Sequence, residues 1–373
     1  MKRESIQDVG KNEDVAFGSN AIRLSGWEWI IVAIICLTAF LFAPSLWGQL
    51  GEIKSGSDYR LPYKLGSDYW LYGRLCRKAC SQYETVLIGD SVVWGHYVPA
   101  DGTLSHYLNE YTGQDQFANL GVDGFHPAAL WGLLKYYGRE ISNKKVIVHL
   151  NPLWMSNRKQ DLQTDKEYRF NHPKLVPQFR PKIPCYKDPW SERMSVTIGH
   201  HVPFLGWTAH LRTAYFENMD VPAWTAEHPY ENPLRAITLE LPAAKEDNPQ
   251  DYRPWTERRM PKQDFQWVEL ETSLQWKLFR RSIELLKARN NTVFVLVGPF
   301  NEHMLTGESP GIYSKMKSGI ESWFRQNNIP YFLPEALPSN LYSDASHPLP
   351  EGYALIARKI LEDESFQSSI LSR

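Results

Sequence analysis

From residue 84 onward the chain alternates short apolar, β-branched runs with longer segments of helical periodicity, and this restricts the fold more than any other feature. Glu84–Ile88, Gln116–Leu120, Lys145–Leu150, Thr292–Val297 and Ile329–Leu333 read as strands. Pro127–Arg139, Glu271–Asn290, Ile312–Asn327 and Pro350–Glu362 read as the helices that separate them. Strands that are apolar on both sides of the pleat belong to a parallel sheet covered on both faces. The expected fold is therefore α/β, a three-layer α/β/α sandwich around a parallel five-stranded sheet. The alternation breaks between residues 153 and 265, where proline-punctuated clusters such as Arg180–Pro184 replace long apolar runs. This stretch reads as a large insertion after the third strand. Its aromatic side chains suit a satellite core, with a carbohydrate-binding surface as the other reading.

Ahead of the alternation lies one long apolar segment, Gly26–Gly48, in which Glu28 is the only charge. Its length approaches the roughly 20 apolar residues that cross a bilayer core. Trp27, Trp29 and Trp47 stand at its ends, where indoles favour the headgroup region. A polar tail of residues 1–25 precedes it and no small-x-small cleavage site follows, so an uncleaved anchor is expected rather than a cleaved signal. Lys2, Arg3, Lys11 and Arg23 precede the span, against Lys54, Arg60 and Lys64 after it. That balance slightly favours a cytoplasmic N-terminus, with the bulk of the chain outside the cytoplasmic membrane, periplasmic or at the cell surface. Residues 49–83 read as a connector and 84–373 as the folded domain. Mean hydropathy of −0.43 excludes a multi-span protein.

Charge narrows the function classes. With 41 basic and 42 acidic side chains, the chain lacks the cationic surplus that phosphate neutralisation needs, so nucleic acid is not an expected partner. The four cysteines show no zinc-site spacing, and no metal or organic cofactor is expected. Cys76 and Cys80 could pair in an oxidising compartment or remain thiols.

Two motifs carry chemistry. Gly89-Asp90-Ser91 follows the first strand, where an open parallel sheet binds its ligands. Ser343-Asp344-Ala345-Ser346-His347-Pro348 lies near the C-terminus, with an Asp three residues before a His. A carboxylate so placed can orient an imidazole that accepts a serine proton. Taken singly, each motif also suits a helix cap or a turn. Asn301, Glu302 and His303 follow the fourth strand at the same edge and are candidate substrate contacts. His96 and His126 fit surface or cap positions.

In order and placement these blocks resemble the SGNH, or GDSL, hydrolases. The resemblance implies Ser91 as nucleophile, His347 as general base and Asp344 as its orienting acid. It also implies an oxyanion hole built from the Ser91 amide, the Gly121 amide and the Asn151 side chain. The third block departs from the family pattern, with His149 in place of a glycine and Pro152 in place of an aspartate. The anchor and the insertion look more like the membrane-tethered branch that serves cell-envelope polysaccharide O-acetylation and D-alanylation. What this implies is a serine-dependent ester hydrolase or O-acyltransferase on acylated envelope glycans, beside a multi-span O-acyltransferase. The other reading is a catalytically inactive SGNH-fold scaffold that binds such a partner.

Overall fold

A computed structural model describes residues 24–50, 56–238, 240–241 and 253–372 of the chain. The polar tail lies outside the described residues, except for Leu24 and Ser25. The first helix, α1 (Gly26–Gln49), covers 24 residues, about 36 Å at the rise of an α-helix. It is long and apolar enough to cross a membrane, a test that a signal sequence near an N-terminus also passes.

From Leu50 the chain forms one compact unit. Its elements are α2 (Tyr69–Gln82), β1 (Thr85–Ile88), α3 (Ser91–Trp94), α4 (Leu104–Thr112), β2 (Phe117–Asn119), α5 (Pro127–Tyr136) and β3 (Lys145–Leu150). Then come α6 (Trp190–Gly199), α7 (Pro203–Tyr215), α8 (Val221–Glu227), α9 (Pro233–Ala236) and α10 (Leu274–Ala288). The chain closes with β4 (Thr292–Val297), α11 (Ser309–Gln326), β5 (Tyr331–Phe332), α12 (Pro350–Glu362) and α13 (Glu364–Phe366). All five strands are parallel, in the order β2-β1-β3-β4-β5.

The continuous apolar character of the inner strands follows from this topology. β1 and β2 are buried throughout, and β3 and β4 are buried after their first residue. Strand β5, at the edge, is short and half-buried. Because β1 pairs with β2 on one side and β3 on the other, the chain reverses direction across the sheet there. A crevice opens at the carboxyl ends at such a switch point.

Within the expected connector 49–83, the described residues from 56 onward are more structured than their polar composition suggests. Tyr59 and Leu61 are buried, and Tyr59 bonds through its amide to the Asn119 carbonyl at 2.9 Å, extending the sheet beyond β2. Helix α2 carries buried Leu71, Tyr72 and Leu75 on one face. Cys76 and Cys80 lie one turn apart on it as free, buried thiols.

Between β3 and α10 the chain makes short helices and a second small core. Leu162, Val176, Ile183, Cys185 and Tyr186 pack there with Ala128 of α5 and with Leu274 and Leu278 of α10. The buried members of this core are mainly aliphatic, with Tyr186 the one aromatic among them, so the tryptophans of the stretch lie elsewhere. Asp161 fastens this segment to the sheet-covering helices. Fully buried, it accepts bonds from the Leu274 amide at 2.9 Å, the Gln275 amide at 3.1 Å and the Ser273 hydroxyl.

Asp161→Ala strands two buried amides at the start of α10, which should cost roughly 3 kcal/mol, since bonds to charged groups contribute about 1.5–3 kcal/mol. A denaturant titration of the purified protein checks this. An unchanged midpoint would mean that water replaces the carboxylate.

Candidate active site

The loops that leave the carboxyl ends of the strands bring the two chemical motifs together. After β1 the chain turns at Gly89 and Asp90 and begins α3 at Ser91. Asp90 caps this short helix by accepting the Val92 amide at 3.0 Å. Tyr353 of α12 donates its buried hydroxyl to the Val92 carbonyl at 2.8 Å, which fixes α3 from beneath. Ser91 is 8% exposed, enough to face the crevice while its backbone is held.

After β5 the chain reaches the turn at Asp344. Its Oδ1 accepts the Ser346 and His347 amides, each at 2.9 Å, so the carboxylate builds the turn that presents its own partner. Both carboxylate oxygens stand 2.8 Å from His347 Nδ1. His347 Nε2 lies 2.7 Å from Ser91 Oγ, 256 residues away in sequence. In the tautomer that satisfies both contacts, Nδ1–H donates to Asp344 and the serine hydroxyl donates to Nε2. This chain of bonds can carry a proton from Ser91 to His347 while Asp344 stabilises the imidazolium.

The electrostatics agree with that geometry. Burial works to raise the Asp344 carboxyl, but the His347 charge and the hydrogen bonds outweigh it and hold the group at about 2. Burial likewise disfavours the His347 imidazolium, yet Asp344, Asp90 and Asp123 together lift it above the usual 6.5.

Gly121 follows β2 and packs against α3. A Cβ there would stand 2.5 Å from the Trp94 amide nitrogen, so no larger residue fits this approach. Its amide donates to Asn119 Oδ1 at 2.9 Å. Asn151 follows β3 and donates its side-chain amide to Asp90 Oδ2 at 2.8 Å. Both groups expected as oxyanion donors therefore have partners within the protein, although the Asn151 amide carries a second hydrogen.

The residues after β4 are engaged in structure. Asn301 is fully buried and ties its loop to the Asp344 turn, donating to the Asp344 carbonyl at 3.1 Å. Glu302 pairs with Lys317 at 2.5 Å, and His303 Nε2 contacts the Leu337 carbonyl at 2.9 Å. His126 caps α5 and is buried, with its pKa pushed down to about 4 by that burial.

His96, expected at a surface or cap position, is half-buried beside His347. Its ring lies 5.5 Å from that of His347, and its Nδ1 lies 2.7 Å from Asp123 Oδ1. Tyr97 meets His347 edge-on at 5.3 Å, with the Arg258 guanidinium 4.8 Å above the tyrosine ring. Trp154 Nε1 donates to Asp90 at 3.1 Å, and His149 Nδ1 lies 2.9 Å from the other Asp90 oxygen. Strand alternation carried a signal for part of this set, because residues 149 and 151 share one face. Nothing local in the sequence joins His96 and Asp123 to His347.

Among the described residues no group of three or more His, Cys, Asp or Glu side chains is arranged to hold a metal ion. No protein-family model matches this chain, and no curated protein matches it significantly.

The raised His347 pKa fixes the sign of two pH effects. Its contribution to stability is full below about pH 6.5 and is lost as pH rises through the higher folded-state value. The contribution of Asp344 is present above about pH 3.8 and is lost as pH falls towards 2. Any reaction that uses neutral His347 as a base should therefore show an acid limb above 6.5. Asp344→Asn should move that limb to lower pH and slow the reaction by roughly 10³-fold or more. A pH–rate profile of both proteins measures this, and an acid limb at the same pH in both would remove Asp344 as the cause.

Proposed function

We propose that this chain is a serine-dependent acyl-ester hydrolase or O-acyltransferase of the SGNH type. It acts outside the cytoplasmic membrane on acylated cell-envelope glycans. The observation that carries the reading is the hydrogen-bonded chain Ser91–His347–Asp344, with Ser91 Oγ and His347 Nε2 2.7 Å apart at the switch point of the sheet.

In the first half-reaction Ser91 Oγ attacks the acyl carbonyl carbon as His347 Nε2 takes the hydroxyl proton. The tetrahedral oxyanion is met by the Ser91 amide and by the second hydrogen of the Asn151 side chain. The C–O bond to the leaving alcohol breaks, and His347 returns the proton to that alcohol. In the second half-reaction water or a sugar hydroxyl attacks the acyl-serine. His347 accepts its proton and passes it to Ser91 as the serine ester breaks. The apolar helix α1 tethers the site to the membrane, beside a multi-span protein that supplies or receives acyl groups.

A second reading has one specific observation in its favour. The Gly121 amide bonds to Asn119 and the Asn151 side chain to Asp90, as they would in an SGNH-fold scaffold that binds its partner without turnover.

A fluorophosphonate probe and p-nitrophenyl acetate separate the two. Ser91 should be labelled in the wild-type protein, with labelling and turnover falling to background in Ser91→Ala and by about 10³-fold in His347→Ala. Absence of labelling in the folded wild-type protein would favour the scaffold.

A further inference from the structure

We propose that His149 is a positioning residue that pins the Asp90 carboxylate behind the nucleophile, so that Asp90 in turn fixes Asn151 and Trp154. The inference rests on the catalytic reading of Ser91 and adds to it a buried support that the triad itself does not contain.

The argument begins with strand register. Ile88 of β1 pairs with Val148 of β3, so the next residues, Gly89 and His149, stand side by side. A Cβ on Gly89 would lie 2.6 Å from the His149 Cβ, and glycine there makes room for the imidazole. The ring therefore sits under the turn that leads to Ser91. Its side chain is fully buried, and that of Asp90 is nearly so.

Each nitrogen of the ring has a defined neighbour. Nε2 lies 2.8 Å from the Gly298 carbonyl oxygen, which can only accept, so Nε2 carries a hydrogen. Nδ1 then faces Asp90 Oδ1 at 2.9 Å, without an aligned hydrogen-bond acceptor. On its other side Asp90 accepts the Asn151 amide at 2.8 Å and the Trp154 indole N–H at 3.1 Å, while Oδ1 also takes the Val92 amide. Burial works to raise the Asp90 carboxyl, but the His149 charge and these bonds bring it below its usual value.

Asp90 is thus a hub on which the start of α3 and the Asn151 amide both depend, and His149 joins it to β4 through Gly298. If the hub shifts, the amide meant for the oxyanion shifts with it. Positioning of this kind affects the transition state more than substrate binding, so it should appear in kcat.

Two substitutions divide the contacts of the ring. His149→Gln can keep the bond to Gly298 but removes the group beside Asp90. His149→Asn can keep an amide beside Asp90 but loses Gly298. Using the full-length protein in detergent and p-nitrophenyl acetate, we expect His149→Gln to lower kcat at least 10-fold with KM within about twofold. His149→Asn should stay within about threefold of wild type. Adding His149→Gln to Asn151→Ala should cost less than the product of the two single losses, since both act in part through one amide. Equal losses in the two His149 variants, unchanged kcat in His149→Gln, or additive losses in the double variant would each overturn the proposal. A crystal structure of His149→Gln supplies a readout free of activity: Asn151 should leave Asp90 Oδ2, and an intact contact overturns the inference. If wild-type Ser91 is not labelled by the fluorophosphonate, the catalytic reading fails, and the structure of the variant still decides whether His149 holds Asp90.

Discussion

The parallel register of β1 against β3 is the constraint on which the rest of the site depends. Ile88 opposite Val148 puts the two strands' carboxyl ends level, so Asp90 and Asn151 leave the sheet within hydrogen-bond reach of each other. A slip of two residues would keep the apolar faces buried but move Asn151 about 6–7 Å along the strand, given a rise of about 3.3 Å per residue. The hydrogen bond from Asn151 to Asp90 would then be lost, and the His149 contact with it. Burial of β1 on all four residues and of β3 on five holds the two strands in the sheet, and the contacts of Asp90 with His149 and Asn151 exist only in this register.

The other half of the site is locally autonomous. Asp344 accepts two amides of its own turn and contacts the imidazole three residues on, so the turn, the orientation of His347 and the charge beside it come from one carboxylate. Only its docking needs the fold. Asn301 supplies that from the end of β4, and Tyr342 adds a bond from its hydroxyl to the Phe300 carbonyl at 3.0 Å. Ser91 and His347 thus arrive on separate parts of the fold, one set by sheet register and one by a self-contained turn.

This division explains what could be read from the sequence. The strands, the helices α5, α10, α11 and α12 and the Asp344–His347 turn are legible because each depends on period or on short-range chemistry, whereas the short helices α6–α9 lie in the proline-punctuated stretch where no period stands out. The termini of the strands were overestimated by one or two residues, since Gln116 and Ile329 lie in the approaches to the sheet rather than in its ladders. Helix α2 went unread because the polar composition before it masks its buried Leu71, Tyr72 and Leu75. Helix α4 is only nine residues long, with a modest apolar face. Asn301, Glu302 and His303 share the correct sheet edge, but polar type alone could not show that their partners are a turn, a lysine and a carbonyl. His96 beside His347 depends on the path of the chain after α3, for which no periodic signal exists.

The internal bonds of Gly121 and Asn151 weigh less against the proposed catalysis than they first suggest. Each bond that must be exchanged has a net value of about 1 kcal/mol, because a new acceptor replaces the old one. The Asn151 amide need not exchange at all, since its second hydrogen is directed elsewhere than Asp90. Freeing the Gly121 amide would leave the buried Asn119 Oδ1 without that donor, at roughly 1–3 kcal/mol, still small against the 8 kcal/mol or more by which enzymes lower barriers. By contrast, holding a carboxylate, an imidazole and a hydroxyl in one line across 256 residues requires ordering several side chains, each against an entropy cost of up to about 2 kcal/mol. An arrangement of that cost, with a base whose proton affinity is raised by three carboxylates, weighs on the side of acyl transfer at Ser91.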